Sequence, residues 1–232
     1  MAHVLVTGSN RGIGLALVNA CLDRGDRVFA TCRKPSAAVK LQALAKRHPD
    51  RLAIHALDVV DQASIGQAAR HIRSQTKRLD LLINNAGVFT RGTTLATYQV
   101  ETLLETVQVN AIGPLMVARR FLRLLEKSDH PVIVNVSSDS GSLALKTSGG
   151  NYGYCASKAA LNMFTRALAF DLQPRGIIVI ALHPGWVRTD MGGGSAPLSP
   201  RDSALGILSL SDRLTMSDCG RFLAWDGHEL PW

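Results

Sequence analysis

The chain has four scattered cysteines, no long apolar run and no block of like charges, and each shortage excludes a class of protein. Cys21, Cys32, Cys155 and Cys219 form no C-x-x-C pair and lack the spacing of metal ligands, so we expect free thiols and no metal site. The absence of a membrane-length apolar run predicts no membrane association. The N-terminal "MAHVLVTG" lacks the basic and apolar regions of a signal peptide, which together with free thiols favours the cytoplasm.

The charge of the chain is basic, with a net value of +8. Residues 1–60 hold nine Lys/Arg against four Asp/Glu, and a nucleic-acid surface is one interpretation of that bias. Like charges do not follow one another in a block, so a solvated basic face with a few phosphate contacts is favoured, and we expect no nucleic-acid partner. A chain of 232 residues with 46% hydrophobic and 19% charged residues fits one globular domain over 1–232.

Short, almost continuously apolar segments alternate with longer amphipathic ones. Predicted strands cover 3–7, 27–32, 52–59, 79–84, 131–138 and 176–184, and predicted helices cover 12–25, 36–48, 62–74, 97–127 and 155–173. This alternation indicates parallel βαβ units with right-handed crossovers. The predicted fold is therefore a three-layer, doubly wound α/β domain with a parallel sheet of six to seven strands and its ligand at the carboxyl ends of the strands.

Gly113 and Pro114 lie well inside the predicted helix over 97–127. Proline removes one hydrogen bond of the helix and clashes with the preceding turn, so we expect a kink there. A kink frees a backbone carbonyl, and Asn110 lies one turn earlier.

Gly8, Gly12 and Gly14 connect the first predicted strand to the first predicted helix, with the spacing G-x-x-x-G-x-G. Glycines in such a turn adopt positive φ and let a pyrophosphate reach backbone N–H groups at a helix N-terminus. A glycine-rich turn with only structural duties is the alternative. The position between a strand and an amphipathic helix favours dinucleotide binding.

The end of the second predicted strand indicates which dinucleotide is bound. An acidic residue there would bind the ribose 2′-OH of NAD, but this chain has Arg33 and Lys34, and Arg11 lies in the glycine turn. Two guanidiniums suit a 2′-phosphate, so NADP(H) is favoured, with NAD(H) as the alternative cofactor and a solvated surface as the alternative role for Arg33 and Lys34. Asp58 would accept a hydrogen bond from the adenine amino group or cap a helix.

The stretch "NYGYCASKAAL" places two tyrosines ahead of one lysine. Tyr154 and Lys158 are four residues apart and share a helix face, whereas Tyr152 is turned away from it. A lysine ammonium would lower the pKa of a phenol from its ordinary value of about 10. Such a pair is often only a surface contact, and Ser137-Ser138 could simply serve a turn, but their occurrence with the glycine turn favours chemistry.

Together and in this order, these motifs resemble those of the short-chain dehydrogenase/reductase family over essentially the whole chain. The matching residues are Thr7-Gly8-Ser9-Asn10-Arg11-Gly12-Ile13-Gly14, Asn84-Asn85-Ala86-Gly87, Asn110, Ser137-Ser138 with Gly141, Tyr154 with Lys158, and Pro184-Gly185 followed by Thr189. The ending "GRFLAWDGHELPW" and the stretch "FATCRKP" are most similar to the C-factor/Sniffer-like carbonyl reductases.

The resemblance implies a Rossmann-type fold and NADPH-dependent reduction of small aldehydes or ketones to alcohols. It assigns proton donation to Tyr154, lowering of that phenol's pKa to Lys158, positioning of the substrate oxygen to Ser138, and a water that links Lys158 to solvent to Asn110. An NAD(P)-binding regulatory or signalling protein of the C-factor type, in which catalysis is secondary, is the alternative function.

The same resemblance assigns the other binding residues and the assembly. Residues 1–90 would mainly bind the cofactor, and 91–232 would carry catalysis and the substrate. The expected cofactor contacts are Gly8, Asn10, Arg11, Gly12, Ile13, Gly14, Arg33, Asp58, Val59, Asn85, Ala86, Gly87, Tyr154, Lys158, Pro184, Gly185, Val187 and Thr189. A homodimer or homotetramer is expected through the helices over 97–127 and 155–173. The glycine-rich "MGGGSAPLSP" predicts a mobile segment beside an open site for a small carbonyl or alcohol substrate.

Overall fold

The computed structural model describes all residues from Met1 to Trp232. Seven parallel strands form one sheet in the order β3-β2-β1-β4-β5-β6-β7. They are β1 (His3–Thr7), β2 (Arg27–Cys32), β3 (Leu52–Ala56), β4 (Leu81–Asn84), β5 (Val132–Val136), β6 (Ile178–His183) and β7 (Phe222–Ala224). The main helices are α1 (Gly12–Asp23), α2 (Val39–Arg47), α3 (Gln62–Gln75), α4 (Val100–Val107), α5 (Gly113–Leu125), α6 (Tyr152–Leu172) and α7 (Pro200–Arg213). The predicted single-domain Rossmann-like fold is confirmed.

Helices cover both faces of the sheet, and two apolar clusters fill the layers between. One cluster includes Val4, Val6 and Leu17, and the other includes Leu5 and Phe29, because neighbouring strand residues point to opposite faces. This double burial explains why the strands are almost continuously apolar. None of the helices is long and apolar enough to cross a membrane.

The strand order reverses between β1 and β4, which are adjacent in the sheet although two strands lie between them in the chain. Their register pairs Val4 with Leu81 and Val6 with Ile83, so both strands end at the same edge. Segments that leave adjacent parallel strands on opposite faces diverge at this point and open a crevice.

The structure shortens several predicted elements. The strand predicted over 131–138 ends at Val136, because Ser138 begins a short 3₁₀ turn over Asp139–Gly141 as its N-cap. The strand predicted over 52–59 ends at Ala56, and α6 begins at Tyr152, three residues before its predicted start. β7 has three residues and was not among the predicted strands, since so short a run carries no measurable periodicity.

The kink expected in the helix over 97–127 is a π-helical segment. Gln108–Ile112 separates α4 from α5, with Pro114 in the first turn of α5. Proline has no N–H to donate, and the longer hydrogen bond from the Gly113 N–H to the Gln108 carbonyl carries the chain around this position. Asn110 lies inside the π segment and is buried.

Candidate active site

The predicted site residues follow four strands that end at the same edge of the sheet. The glycine turn follows β1, Asn85 follows β4, Ser138 follows β5, and Pro184 follows β6. Residues separated by more than a hundred positions in the chain are thereby brought together. This edge is where doubly wound sheets bind their ligands.

The turns after β1 and β4 are braced against each other. The Thr7 Oγ1 accepts hydrogen bonds from the backbone N–H groups of Asn85 and Ala86, each at 3.0 Å. The Asn85 Nδ2 donates to the carbonyls of Thr7 at 2.9 Å and Gly8 at 3.2 Å. Gly8 has φ of +66°, and a Cβ there would lie 2.8 Å from the Ala86 Cα, so both conformation and space require glycine.

The N-terminus of α1 presents free hydrogen-bond donors. Arg11 precedes the helix without a side-chain cap. The backbone N–H groups of Gly12, Ile13 and Gly14 make no hydrogen bond within the protein. Uncapped donors with a helix dipole behind them suit an anionic group, so this cradle fits the pyrophosphate of a dinucleotide. Asn10 is exposed at its rim.

Two free cations lie at the end of β2. Arg33 and Lys34 are exposed, and none of the nine ion pairs in the structure involves either of them. Arg11, the other guanidinium predicted for a 2′-phosphate, pairs with Asp190 at 3.1 Å. This pair is exposed on both sides, and such pairs contribute only about 0–1 kcal/mol to stability.

The turn after β3 holds Asp58 and Val59, the residues predicted to face the adenine. The alternative role of Asp58 as a helix cap is wrong, because Asp61 caps α3 by accepting from the Ala63 N–H at 2.8 Å. The Asp58 Oδ1 accepts only from the Val60 N–H, at 3.2 Å. Val59 is buried against Gly113, where an added Cβ would lie 2.9 Å from its side chain and 3.1 Å from its carbonyl oxygen.

The residues predicted to contact the nicotinamide half lie next to the glycine turn. Thr189 packs over Gly12, where a Cβ would lie 3.4 Å from the Thr189 Cγ2. The Pro184 carbonyl accepts the Ser203 hydroxyl at 2.7 Å, which ties this segment to α7. Gly185 and Val187 follow, with Gly185 at φ of +82° and Val187 buried.

Tyr154 and Lys158 lie on one face of α6, as their spacing predicts. The Lys158 Nζ is 5.7 Å from the centroid of the Tyr154 ring and donates to the Val136 carbonyl at 2.8 Å. Gly141 and Gly87 leave room for this lysine. A Cβ on Gly141 would lie 2.8 Å from the Lys158 backbone carbonyl carbon, and a Cβ on Gly87 would lie 3.9 Å from the Lys158 Nζ. Tyr152 is turned away and half exposed, as predicted.

Burial shifts the pKa values of this pair away from the charged forms. The pKa of the Tyr154 phenol is raised to about 12 by burial, which outweighs the lowering by the Ser138 hydroxyl, and the charge of Asp139 adds to the rise. Burial lowers the pKa of the Lys158 ammonium to about 8. The pKa of Tyr154 thus moves opposite to the predicted direction, because desolvation outweighs the hydrogen bond from Ser138.

Ser138 lies at the end of β5 and is buried. Its Oγ donates to the Asp139 Oδ1 at 2.9 Å and accepts from the Ser140 N–H at 3.1 Å. The His183 Nδ1 accepts from the Asp139 N–H at 3.1 Å, so this histidine anchors the turn from the end of β6, as expected of a strand-end residue.

Asn110 joins three segments of the site. Its side-chain Oδ1 accepts from the Val88 N–H at 2.8 Å, and its Nδ2 donates to the Val88 carbonyl at 2.9 Å and to the Ser157 Oγ at 3.0 Å. The Ser157 Oγ in turn donates to the Tyr154 carbonyl at 2.8 Å. The side chain therefore positions the turn after β4 against α6, a role the sequence did not predict, and the bound water stays a prediction.

A cleft of about 410 Å³ opens onto Tyr154 and Ser138. Its other lining residues are Ile13, Phe89, Arg91, Ser137, Asp139, Ser140, Asn151, His183, Pro184, Gly185, Trp186, Val187, Thr189, Met191 and Gly192. A depression of about 570 Å³ elsewhere, lined by His3, 74–78 and Lys127, has no hydrophobic side chain and holds none of the predicted residues. We assign the site to the first cleft, because ligand sites combine apolar walls with a few convergent polar groups.

Comparison with known proteins agrees with this geometry. A family model for short chain dehydrogenases matches residues 2–197. The chain belongs to the short-chain dehydrogenase family. The resemblance inferred from the motifs is therefore confirmed.

Among other short-chain dehydrogenases, carbonyl reductases have similar structures. The NADPH-bound carbonyl reductase from chicken fatty liver matches 100% of this chain and 99% of its own, with a TM-score of 0.94 and 39% identity. The carbonyl reductase Sniffer of D. melanogaster matches 100% of both chains, with a TM-score of 0.96 and 37% identity. The C-signal of Myxococcus xanthus is 43% identical over 157 residues, which are 68% of this chain and 95% of that protein.

Some residues of this short-chain dehydrogenase cleft were not predicted. The Phe89 ring centroid lies 4.6 Å from that of Tyr154, and Arg91 and Met191 reach the cleft from loops. No periodic pattern marks these loop residues. Asp139 was also missed, although its place next to Ser138 in the chain could have suggested it. Trp186 also lines the cleft and is 56% exposed.

The glycine-rich segment after Thr189 accepts hydrogen bonds from side chains on either side of it. The Trp186 Nε1 donates to the Gly192 carbonyl at 2.8 Å, and the Arg91 Nη2 donates to the Met191 carbonyl. The Arg188 Nη1 donates to the carbonyls of Ala196 and Pro197, at 2.9 and 2.6 Å. The segment is therefore hydrogen-bonded to three side chains around the cleft, and its mobility stays a prediction.

Proposed function

We propose that the protein is an NADPH-dependent carbonyl reductase that converts small aldehydes or ketones to alcohols. The observation that carries the proposal is the convergence of Tyr154 and Ser138 on one cleft, with the Lys158 Nζ buried 5.7 Å from the Tyr154 ring centroid and a helix N-terminus with free N–H donors beside them. Two structural neighbours are described as carbonyl reductases, and one of them holds NADPH, which supports the same reading.

The cofactor preference rests on charge at the end of β2. Arg33 and Lys34 have no internal partner, and no carboxylate occupies the position that would bind a ribose 2′-OH. A guanidinium can grip a phosphate with two parallel hydrogen bonds. Arg11 would join them only by leaving Asp190, at the small cost of an exposed ion pair. We therefore propose NADP(H) as the preferred cofactor, with NAD(H) as the weaker alternative.

The protein supplies the proton and the geometry of the reaction. Bound NADPH would supply a hydride to the carbonyl carbon. Tyr154, whose raised pKa keeps it protonated at neutral pH, would donate its proton to the carbonyl oxygen. The Ser138 hydroxyl would orient that oxygen, and the Lys158 ammonium would stabilise the phenolate that remains. Asn110 would maintain the spacing between α6 and the turn after β4.

The cleft suits a small substrate. Phe89, Trp186 and Met191 give it an apolar side, and its volume of about 410 Å³ lies near the lower end of ligand pockets. We propose small carbonyl compounds, rather than a bulky carrier-bound group, as substrates.

We also propose a homodimer or homotetramer. The outer faces of α4–α6 carry exposed apolar side chains that a second subunit would cover, namely Val100, Leu104, Ile112, Leu115, Met163 and Phe170. Light scattering should give a multiple of the 24.9 kDa chain mass, and a monomer would overturn the proposal.

The decisive experiment follows NADPH oxidation with a panel of aldehydes and diketones, with NADH assayed in parallel. Tyr154→Phe should lower turnover by about 10²–10⁴-fold, because it removes the proton donor. Tyr152→Phe is the matched control, since its ring is half exposed and contacts Tyr98 instead, with ring centroids 6.3 Å apart. Equal turnover in wild type and Tyr154→Phe would refute the assignment.

A regulatory or signalling protein that binds NAD(P) is the second candidate, favoured by the 43% identity to a C-signal protein. It predicts tight NADPH binding, measured by calorimetry, without turnover of any carbonyl in the panel. The presence of Ser138 and Tyr154 in one cleft, with Lys158 beside the Tyr154 ring, favours the enzyme.

A further inference from the structure

The lining of the cleft contains one arginine and one carboxylate, and the proposed chemistry uses neither. Arg91 lies in the loop after β4, and Asp139 follows Ser138 in the turn after β5. His183 also lines the cleft, but its Nδ1 accepts from the Asp139 N–H at 3.1 Å, so this nitrogen carries no proton. Arg91 is therefore the one positively charged side chain in the lining of the cleft.

Hydrogen bonds to the backbone hold the Arg91 guanidinium in place. Its Nη2 donates to the Met191 carbonyl and, at 3.4 Å, to the Asp190 carbonyl. Gly193 lies next to it, since an added Cβ there would be 3.6 Å from the Arg91 Nη2 and 3.9 Å from its Nη1. The Nε and Nη1 atoms make no hydrogen bond within the protein, and they carry three of the five N–H donors of the guanidinium. The group is thus positioned by the backbone and keeps donors for a ligand.

No carboxylate of the protein compensates the charge of Arg91. This residue takes part in none of the nine ion pairs. Asp190, the acidic residue that it contacts, offers only its carbonyl, because the Asp190 carboxylate pairs with Arg11 at 3.1 Å. A positioned guanidinium without an acidic partner favours an anionic ligand, since hydrogen bonds between ionised groups are about twice as strong as neutral ones.

Asp139 determines which end of the cleft an anionic group can occupy. It directly follows Ser138, so its negative charge lies at the end where the substrate carbonyl would be oriented, and it repels an anion there. Phe89, whose ring centroid is 4.6 Å from that of Tyr154, precedes Arg91 by two residues, or at most about 7 Å of backbone. A substrate can therefore extend from the Tyr154 end along Phe89 toward Arg91.

We propose that Arg91 is a specificity-determining residue and that the substrates are small oxo acids, in which a short apolar chain separates the aldehyde or ketone from a carboxylate. The carbonyl would face Tyr154 and Ser138, the chain would lie along Phe89, and the carboxylate would accept from the Arg91 Nε or Nη1. The proposal rests on the carbonyl reductase function proposed above and names the substrate class for it.

A pair of probes that differ only in charge tests the substrate class. 5-Oxohexanoate and its methyl ester share the same ketone and chain. With NADPH, the protein should reduce the acid with a kcat/KM about 10- to 100-fold above that of the ester, the equivalent of one charged hydrogen bond. 2-Oxohexanoate should be a poorer substrate than 5-oxohexanoate, because its carboxylate adjoins the ketone and would lie near Asp139. Equal kcat/KM values for 5-oxohexanoate and its ester would overturn the proposal.

Arg91→Gln separates the charge of this residue from its contacts with the backbone. Glutamine removes the charge and keeps an N–H donor for the Met191 carbonyl. The KM for 5-oxohexanoate should rise by about 10- to 100-fold, while the KM for the ester should stay within about twofold, because the lost group binds only the carboxylate. Arg91→Lys keeps a positive charge and should retain most of the preference for the acid. An equal loss toward acid and ester in Arg91→Gln would show that Arg91 only supports the 190–193 segment, and would overturn the proposal.

Arg47→Gln is the matched control for the charge. Arg47 is exposed at the end of α2, makes no hydrogen bond or ion pair, and precedes β3, which places it at the opposite edge of the sheet. Both KM values should equal those of wild type, and the same rise as in Arg91→Gln would overturn the proposal. The Kd for NADPH should also be unchanged in Arg91→Gln. A raised Kd for NADPH with an unchanged preference for the acid would place Arg91 at the cofactor instead and refute its role toward the substrate.

A second measurement does not depend on turnover. Calorimetry gives the Kd of 5-oxohexanoate and of its methyl ester for protein saturated with NADP⁺, which has no hydride to transfer. Wild type should bind the acid about 10- to 100-fold more tightly than the ester, and Arg91→Gln should bind the two equally. This binding preference in a protein that reduces no carbonyl compound would refute the reductase and leave the role of Arg91 standing. Reduction of acid and ester at equal rates, without a binding preference, would refute the role of Arg91 and leave the reductase standing.

Discussion

Gly141→Ala is expected to disturb the candidate site through a single added methyl group. A Cβ on Gly141 would lie 2.8 Å from the Lys158 Cβ, 2.8 Å from its backbone carbonyl carbon and 3.0 Å from its carbonyl oxygen. Contacts this short with backbone cannot be relieved by a rotamer change, so α6 and the turn over Asp139–Gly141 must move apart. Overpacking of this kind costs about 1–3 kcal/mol in the free energy of unfolding.

Movement of α6 displaces Tyr154 and Lys158 together. A misplacement of about 1 Å in a catalytic group can lower turnover by about 10²-fold. Thermal unfolding should therefore show a fall in Tm of about 2–4 °C for each kcal/mol lost, and NADPH oxidation should fall by a larger factor than the folded fraction does.

Gly149→Ala is the matched control for this substitution. It lies in the same connection between β5 and α6, its φ is not positive, and no atom lies within 4 Å of an added Cβ. Its stability and turnover should equal those of wild type. A Gly141→Ala protein with wild-type Tm and turnover would show that the packing of Gly141 against Lys158 does not position the pair.

Two further predictions concern the cofactor and the pH dependence of stability. Arg33→Ser should raise the Kd for NADPH by about 10- to 100-fold, because one charged hydrogen-bonding group is lost, and should leave the Kd for NADH unchanged. Calorimetry measures both constants. Arg47→Ser is the control, because Arg47 is exposed at the end of α2. Burial lowers the pKa of His55, whose Nε2 has no hydrogen-bond partner. Below about pH 6.5 this histidine therefore binds a proton in the unfolded state but not in the folded state. The urea midpoint should therefore fall as pH drops from about 7.5 to 5.5, and a His55→Phe protein should lose less stability over that range; an equal loss in both proteins would contradict this.

The fold was largely predictable because its signals are local. Buried parallel strands are apolar throughout, amphipathic helices repeat every 3.6 residues, and the alternation of the two leaves little choice of topology. β7 was not predicted, because a three-residue strand is recognised only by its pairing, in which Ala181 of β6 lies opposite Phe222. The π segment around Asn110 was predicted only as a kink, because a proline indicates that the regular helix is interrupted but not which backbone geometry replaces it.

The site residues were predictable where backbone conformation or spacing within one helix requires a particular residue type. Gly8 must be glycine for its positive φ and its approach to Ala86, and Tyr154 and Lys158 share a face because a helix places residues four apart together. The partner of Arg11 was not predictable, because Asp190 is 179 positions away.

The sequence by itself determined the doubly wound fold, the glycine cradle and the Tyr154–Lys158 pair, because each follows from backbone conformation or from spacing within one element. Only the tertiary structure decided the walls of the cleft and the charge environment of Tyr154. Phe89 and Arg91 reach the site from the loop after β4, and Asp139 reaches it from the turn after β5. The pKa of a phenol depends on how deeply it is buried and which charges face it. Those quantities exist only after distant segments have packed together.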